Sequence, residues 1–153
     1  MRRRTRAREL ALQFLYTLEM RGAEARADLP TFLKEAKASV EVRGYTEELV
    51  DGVTQNKPAL DTHLQEFARN WKFERIALVD RNVLRLASYE ILYRDDVPAR
   101  VALNEGIELG KRYSTAQSGG FINGILDRVL RLRMERDAKK DTEKNTEKDD
   151  PQS

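Results

Sequence analysis

Cysteine is absent from the 153 residues, and histidine occurs once, as His63. Without cysteine there is no disulfide framework, no thiolate nucleophile and no Cys-ligated zinc, and one histidine cannot build a His-rich metal site or the usual His-paired nucleophile. Long apolar runs are missing as well. The longest is Ile76-Ala77-Leu78-Val79, far below the roughly 20 residues of a membrane span. Arg2, Arg3 and Arg4 could open a signal peptide, but Gln13 interrupts the apolar stretch behind them and no small-residue cleavage site follows. A soluble, cytoplasmic protein is expected. Glycine is too sparse for phosphate-cradling loops: there is no P-loop and no G-x-G-x-x-G, and Gly119-Gly120 and Asn123-Gly124 sit at a helix start. At about 100–200 residues per domain the chain is one domain, long enough to bury a core.

Charge is present in quantity, at 35% of residues, yet the formal net charge is only +2. The balance hides an asymmetry. Residues 1–8 carry five arginines (Arg2, Arg3, Arg4, Arg6 and Arg8) and no acid. Residues 134–153 are net −2 and residues 9–133 net −1. The positive end of the molecule is therefore its first eight residues. Arginine concentrated in this way suits phosphate, which its planar fork binds in a bidentate manner. After Met134 almost no apolar side chain remains, so disorder is expected from about residue 136, and the chain divides into residues 1–133 and a charged tail, 134–153.

Between these ends the periodicity is helical throughout. Ala7, Leu10, Ala11, Phe14, Leu15 and Leu18 form one stripe at i, i+3, i+4, i+7, i+8 and i+11. Arg2, Arg6, Glu9, Gln13 and Tyr16 take the opposite side, so the arginines are the first turns of a helix anchored by its other face. Asp28-Leu29-Pro30 opens a second helix to about Ser39. A third is expected from about Arg43 to Gln55, and Pro58 begins a fourth that carries Leu60, Leu64, Phe67 and Ala68. The most apolar runs from about Ile76 to Tyr93, leaving a polar strip of Asp80, Arg81 and Arg85. A sixth spans about Ala99 to Tyr113, and Ser118 caps a last one with Phe121, Ile122, Ile125, Leu126, Val129 and Leu130 inward. About seven helices joined by short turns make an all-α bundle.

No catalytic constellation emerges. Glu105 and Glu108 have the spacing of a carboxylate metal site, but no histidine follows to complete it, and ion pairs with Lys111 or Arg112 explain them better. Asp95-Asp96 before Val97-Pro98 is turn chemistry. No enzyme activity, cofactor or metal is expected. Gln117, Ser118, Phe121 and Asn123 gather at a helix start, where free backbone N–H groups seat phosphate. Tyr16 or a partly exposed Phe121 could stack a base. On pattern alone Phe121 is core and Ser118 an ordinary cap.

Four stretches in order resemble the NusB family of bacterial antitermination factors. They are Arg4-Thr5-Arg6-Ala7-Arg8-Glu9-Leu10-Ala11-Leu12-Gln13-Phe14-Leu15-Tyr16, Asp80-Arg81-Asn82-Val83-Leu84-Arg85-Leu86-Ala87-Ser88-Tyr89-Glu90, Val97-Pro98 with Ala102-Leu103-Asn104-Glu105-Gly106-Ile107-Glu108-Leu109-Gly110-Lys111, and Ser118-Gly119-Gly120-Phe121-Ile122-Asn123-Gly124-Ile125-Leu126-Asp127. The resemblance covers about residues 2–132. It implies two three-helix-like halves and a non-enzymatic role: binding the single-stranded boxA element of nascent ribosomal transcripts together with the ribosomal protein NusE. The complex joins other Nus factors on RNA polymerase and suppresses premature termination. Some members form homodimers that cover the RNA surface.

Carried onto this chain, the resemblance puts RNA contacts on Arg3, Arg4, Arg6 and Arg8, with a second patch on Gln117, Ser118 and Phe121. Phe121 is accordingly expected to face RNA. Gln117 departs from the acid common in the family, and Thr5 interrupts the arginine run. The NusE-facing surface would use Tyr16, Met20 and the polar strip begun by Asp80. Two competing expectations are a protein-interaction bundle with merely solubilising arginines and an accessory module of an RNA methyltransferase. The second requires a cofactor-binding α/β domain, for which this sequence offers neither strand pattern nor glycine-rich loop.

Overall fold

The computed structural model describes residues 2–69, 71–115 and 119–148. Six α-helices and two 3-10 turns make up the described residues, with no strand among them. Helix α1 (Arg3–Arg21) buries Ala7, Leu10, Ala11, Phe14 and Leu15, the stripe expected from its periodicity. It stops at Gly22, whose φ of +96° is open to glycine and whose N–H donates to Leu18 O at 2.8 Å. A 3-10 turn over Ala23–Asp28 leads into α2 (Leu29–Glu35), with Pro30 in its first turn. This helix is shorter than expected. Lys37 adopts φ +55°, and the Ala38 N–H reaches back to Leu33 O at 3.1 Å, a Schellman-type stop. Ser39 is therefore not the end of a helix but the cap of the next one, its Oγ accepting from the Val42 N–H at 3.3 Å.

Helix α3 (Val40–Ala68) joins the expected third and fourth helices into one, with Pro58 in its interior. An interior proline removes one helix hydrogen bond and costs about 3 kcal/mol. Here the buried stripe of Leu49, Val50 and Val53 resumes on the same face two turns on with Leu60 and Leu64, and this burial on both sides of the proline offsets that cost. A second 3-10 turn, Phe73–Arg75, precedes α4 (Leu78–Tyr93), which is followed by α5 (Ala99–Tyr113) and α6 (Gly119–Lys148).

Helices α1 and α3 pack together as one half and α4, α5 and α6 as the other, while α4 also lies against α1 and α3. Two glycines make the close approaches feasible. A Cβ on Gly52 of α3 would overlap the Tyr89 ring, and one on Gly106 of α5 would come within 2.7 Å of the Ala87 Cβ. Among the described residues no helix is long and apolar enough to cross a membrane.

The expectation of disorder from about residue 136 meets a helix that continues to Lys148. Two arginines tie its middle to the core side. Arg133 donates to Ile91 O at 2.8 Å and Arg136 to Leu92 O, satisfying carbonyls that the end of α4 leaves without helical partners. Arg133 also pairs with Asp137 one turn on, at 3.0 Å. Beyond them the segment carries Lys139, Lys140, Glu143, Lys144, Glu147 and Lys148, good helix formers that extend a helix once it is nucleated.

Candidate nucleic-acid interface

The N-terminal turns of α1 present their arginines as a set. Arg2, Arg3 and Arg4 are exposed and Arg6 is half-buried. Among the described residues each has a carboxylate partner except Arg2, the N-cap, whose carbonyl accepts from the Arg6 N–H at 3.0 Å. Arg3 pairs with Glu41 of α3, Arg4 with Asp96 after α4 at 3.3 Å, and Arg6 with Glu9 at 3.5 Å. The Asp96 carboxyl lies below the usual range, held there chiefly by the Arg94 hydrogen bonds, with Arg4 adding to them. Thr5 does more than interrupt the positive run: its hydroxyl donates to Glu105 of α5 at 2.9 Å. Glu105 is thereby drawn to α1, while Glu108 pairs with Lys111.

Arg8 departs from the expected RNA contact. It is 3% exposed, and its guanidinium grips Glu90 of α4 through Nε at 2.6 Å and Nη2 at 2.8 Å, with Glu105 at 3.5 Å. The Tyr45 hydroxyl donates to the same carboxylate at 2.5 Å. Burial pulls the Arg8 guanidinium down, but the hydrogen bonds and charge of Glu90 outweigh it, so the group stays protonated. Burial, followed by the Glu90 charge, pushes the Tyr45 hydroxyl far up, so it remains a donor. Arg4, Arg94 and Arg8 lie 4.5, 5.2 and 5.8 Å from the centre of the Tyr45 ring, a cation–π arrangement that fixes the base of the arginine row. The burial had a sequence signal: Arg8, Leu12, Leu15 and Glu19 fall at i, i+4, i+7 and i+11, a second stripe flanking the first.

Helices α1 and α4 run antiparallel, since Arg8 meets Glu90 while Glu19 meets Arg85 at 2.8 Å. The arginine row thus lies at the C-terminal end of α4. Phe121, in the first turn of α6, lies at the other end, beside Asp80. The 16 residues of α4 make that separation about 24 Å at 1.5 Å per residue. Arg112, paired with Glu9, and Tyr113, which meets Gln13 at 3.3 Å, lie along the intervening α1–α5 face. Gln117 and Ser118 lie outside the described residues.

Phe121 is neither core nor free. It is half-buried against the core and stacks on Trp71, ring centres 5.5 Å apart and planes inclined by 30°. Trp71 escaped the periodicity reading because it sits between helices, although it is the only tryptophan in the chain.

Of the residues expected to meet a protein partner, Tyr16 and Met20 are exposed on α1. Tyr16 borders a groove of about 210 Å³ lined by Leu12, Gln13, Val79 and Tyr113. Asp80 does not share that surface. It is 3% exposed in the first turn of α4, where a carboxylate complements the positive end of the helix. Arg85 is likewise drawn inward, bonded to Asp61 at 2.7 and 3.0 Å and to Asn82 at 3.0 Å. Of the expected polar strip, only Arg81 stays partly exposed.

A family model, that of the NusB family, matches residues 5–131. The chain belongs to the NusB family. A transcription antitermination protein NusB of Sorangium cellulosum is 43% identical over 136 residues, 88% of this chain and 97% of the relative. That of Anaeromyxobacter dehalogenans is 48% identical over 128 residues, 83% and 89% of the two chains. Among solved structures, T. maritima NusB matches with a TM-score of 0.73 at 34% identity, over 88% of this chain and 98% of that one. The fold also matches a structure of the antitermination factors NusB and NusE in complex with dsRNA, with a TM-score of 0.77 at 24% identity over 86% and 98%. The helical architecture and the NusB relationship thus agree over nearly the whole described bundle.

Proposed function

We propose that this NusB-family chain is a transcription antitermination factor that binds single-stranded boxA-type RNA with Arg3, Arg4 and Arg6 and meets a NusE-type ribosomal protein on the surface around Tyr16 and Met20. Gln117, Ser118 and Phe121 form the second RNA patch. The protein acts by binding, without catalysis, in the cytoplasm. The observation that carries the reading is the mounting of the arginine row. Its helix is pinned from beneath by Arg8, Glu90 and Tyr45, so its cations lose less freedom on meeting phosphate than those of a loose tail would.

The test is fluorescence anisotropy of boxA-type RNA against a scrambled sequence, with and without NusE. Preference for boxA that sharpens with NusE is the expected result. Replacing Arg3, Arg4 and Arg6 together with alanine should weaken binding without unfolding the chain. It should also reduce the salt slope by about 2, at about 0.7 per single-strand phosphate contact. Unchanged affinity and slope would put the RNA elsewhere.

A further inference from the structure

Trp71 carries an apolar plane that the described residues cover only in part. It is 57% exposed, although its neighbours Phe73 and Ile76 are buried and hold the connection firmly against the core. Its backbone N–H also bonds Ala68 O at 3.0 Å. Phe121 covers part of the indole and itself leans on the core, so the pair forms a fixed step. The step borders a cleft of about 490 Å³, with Lys72 and Arg75 at its rim and Ile76 and Asp80 deeper in. Both rim cations are exposed, and neither makes an ion pair among the described residues. That contrasts with Arg3, Arg4 and Arg6, each of which faces a carboxylate.

We propose that the Trp71–Phe121 step stacks an unpaired nucleobase of single-stranded RNA, with Lys72 and Arg75 holding the adjoining phosphates. The proposal rests on the RNA reading above and extends its track to the far end of α4. Aromatic planes interleaved with cations are the chemistry by which single strands are held without base pairing. With both cations at the rim, the phosphates are held there and the base reaches the aromatic step. The rim cations equally disfavour a basic ribosomal protein, so RNA is the occupant the charges fit.

Because Trp71 is the only tryptophan, its fluorescence reports this one position. Wild-type protein is titrated with boxA-type RNA while anisotropy of labelled RNA is followed in parallel. Quenching that tracks the anisotropy midpoint is expected. Trp71→Ala should weaken binding about tenfold, within the range of one lost base stack, and Trp71→Phe should retain most of the affinity. Lys72→Ala with Arg75→Ala should lower the salt slope by about 1.4. RNA that binds by anisotropy while the fluorescence stays unmoved overturns the stacking proposal and leaves the arginine reading intact. No RNA binding at all removes both. Quenching by NusE alone, and none by RNA, would make the step a protein contact and overturn the proposal. Should Trp71→Ala fail to fold, the wild-type titration still decides.

Discussion

Replacing Glu90 with alanine should cost the fold about 3–5 kcal/mol, because it strands a buried cation. Glu90 is 1% exposed and Arg8 is 3% exposed, and the carboxylate receives three hydrogen bonds, two from Arg8 and one from Tyr45. Among the described residues the one other acid paired with the guanidinium is Glu105, at 3.5 Å and half-buried, which offsets part of the loss and favours the lower end of that range. For a chain of this length each kcal/mol moves the melting temperature by about 2–4 °C, so a fall near 10 °C is expected in thermal unfolding followed by circular dichroism. A double-mutant cycle with Arg8→Met separates pairing from packing: the double variant should lose much less than the two single losses added together. A loss below about 1 kcal/mol, or strict additivity, would refute the buried-pair account. The same variants test the role of Arg8 toward RNA. Folded Arg8→Met should keep the wild-type salt slope, whereas Arg4→Ala should lower it by about 0.7. Equal reductions would mean that Arg8 leaves its pocket to meet phosphate.

Asp80→Lys should lower the melting temperature, since it puts a cation into a buried position at the positive end of α4; an unchanged melt with weakened partner binding would return Asp80 to the partner surface. Acid should destabilise the chain through Glu19. Burial raises that carboxyl, but the Lys57 hydrogen bond and the charges of Lys57 and Arg85 prevail and hold it below its ordinary 4.5. A depressed folded value means stability that is present above pH 4.5 and lost as the pH falls through the folded value. Urea midpoints measured down through that window should drop less steeply in Glu19→Gln, and identical pH profiles would discount the pair.

Helix type and most of the core were legible because burial repeats every 3.6 residues, and the α1 and α6 stripes emerge as the periodicity requires. Boundaries were less so. Pro58 reads locally as a helix start, yet the stripe from Leu49 to Leu64 outweighs one missing hydrogen bond. Ser39 reads as the end of a helix until Lys37 takes a left-handed conformation that no residue type announces. The candidate site was harder still. A sequence displays charge but not where charge is buried, so Arg8, Arg85 and Asp80 looked like surface until the structure placed them, with the carboxylate partners of the two arginines 24 to 82 positions away. Trp71 was hidden for the opposite reason: it belongs to a connection, where periodicity has nothing to say.

The pairing of the outer arginines bears on how such a row could work. Arg3 and Glu41 are both well exposed, as are Arg4 and Asp96. Exposed pairs of this kind contribute only about 0–1 kcal/mol, so an incoming phosphate displaces them at little cost. They nevertheless keep the arginines extended over α3 and the α4–α5 turn and offset the repulsion between cations and the positive end of α1. The inner pair differs. Arg8 and Glu90 are out of water, where separating them would leave two unsolvated charges. The row therefore divides by depth: its outer members can trade a carboxylate for a phosphate, and its innermost member cannot. Five arginines in eight residues are thus not five equivalent contacts, and the salt dependence of RNA binding should follow exposure and not composition.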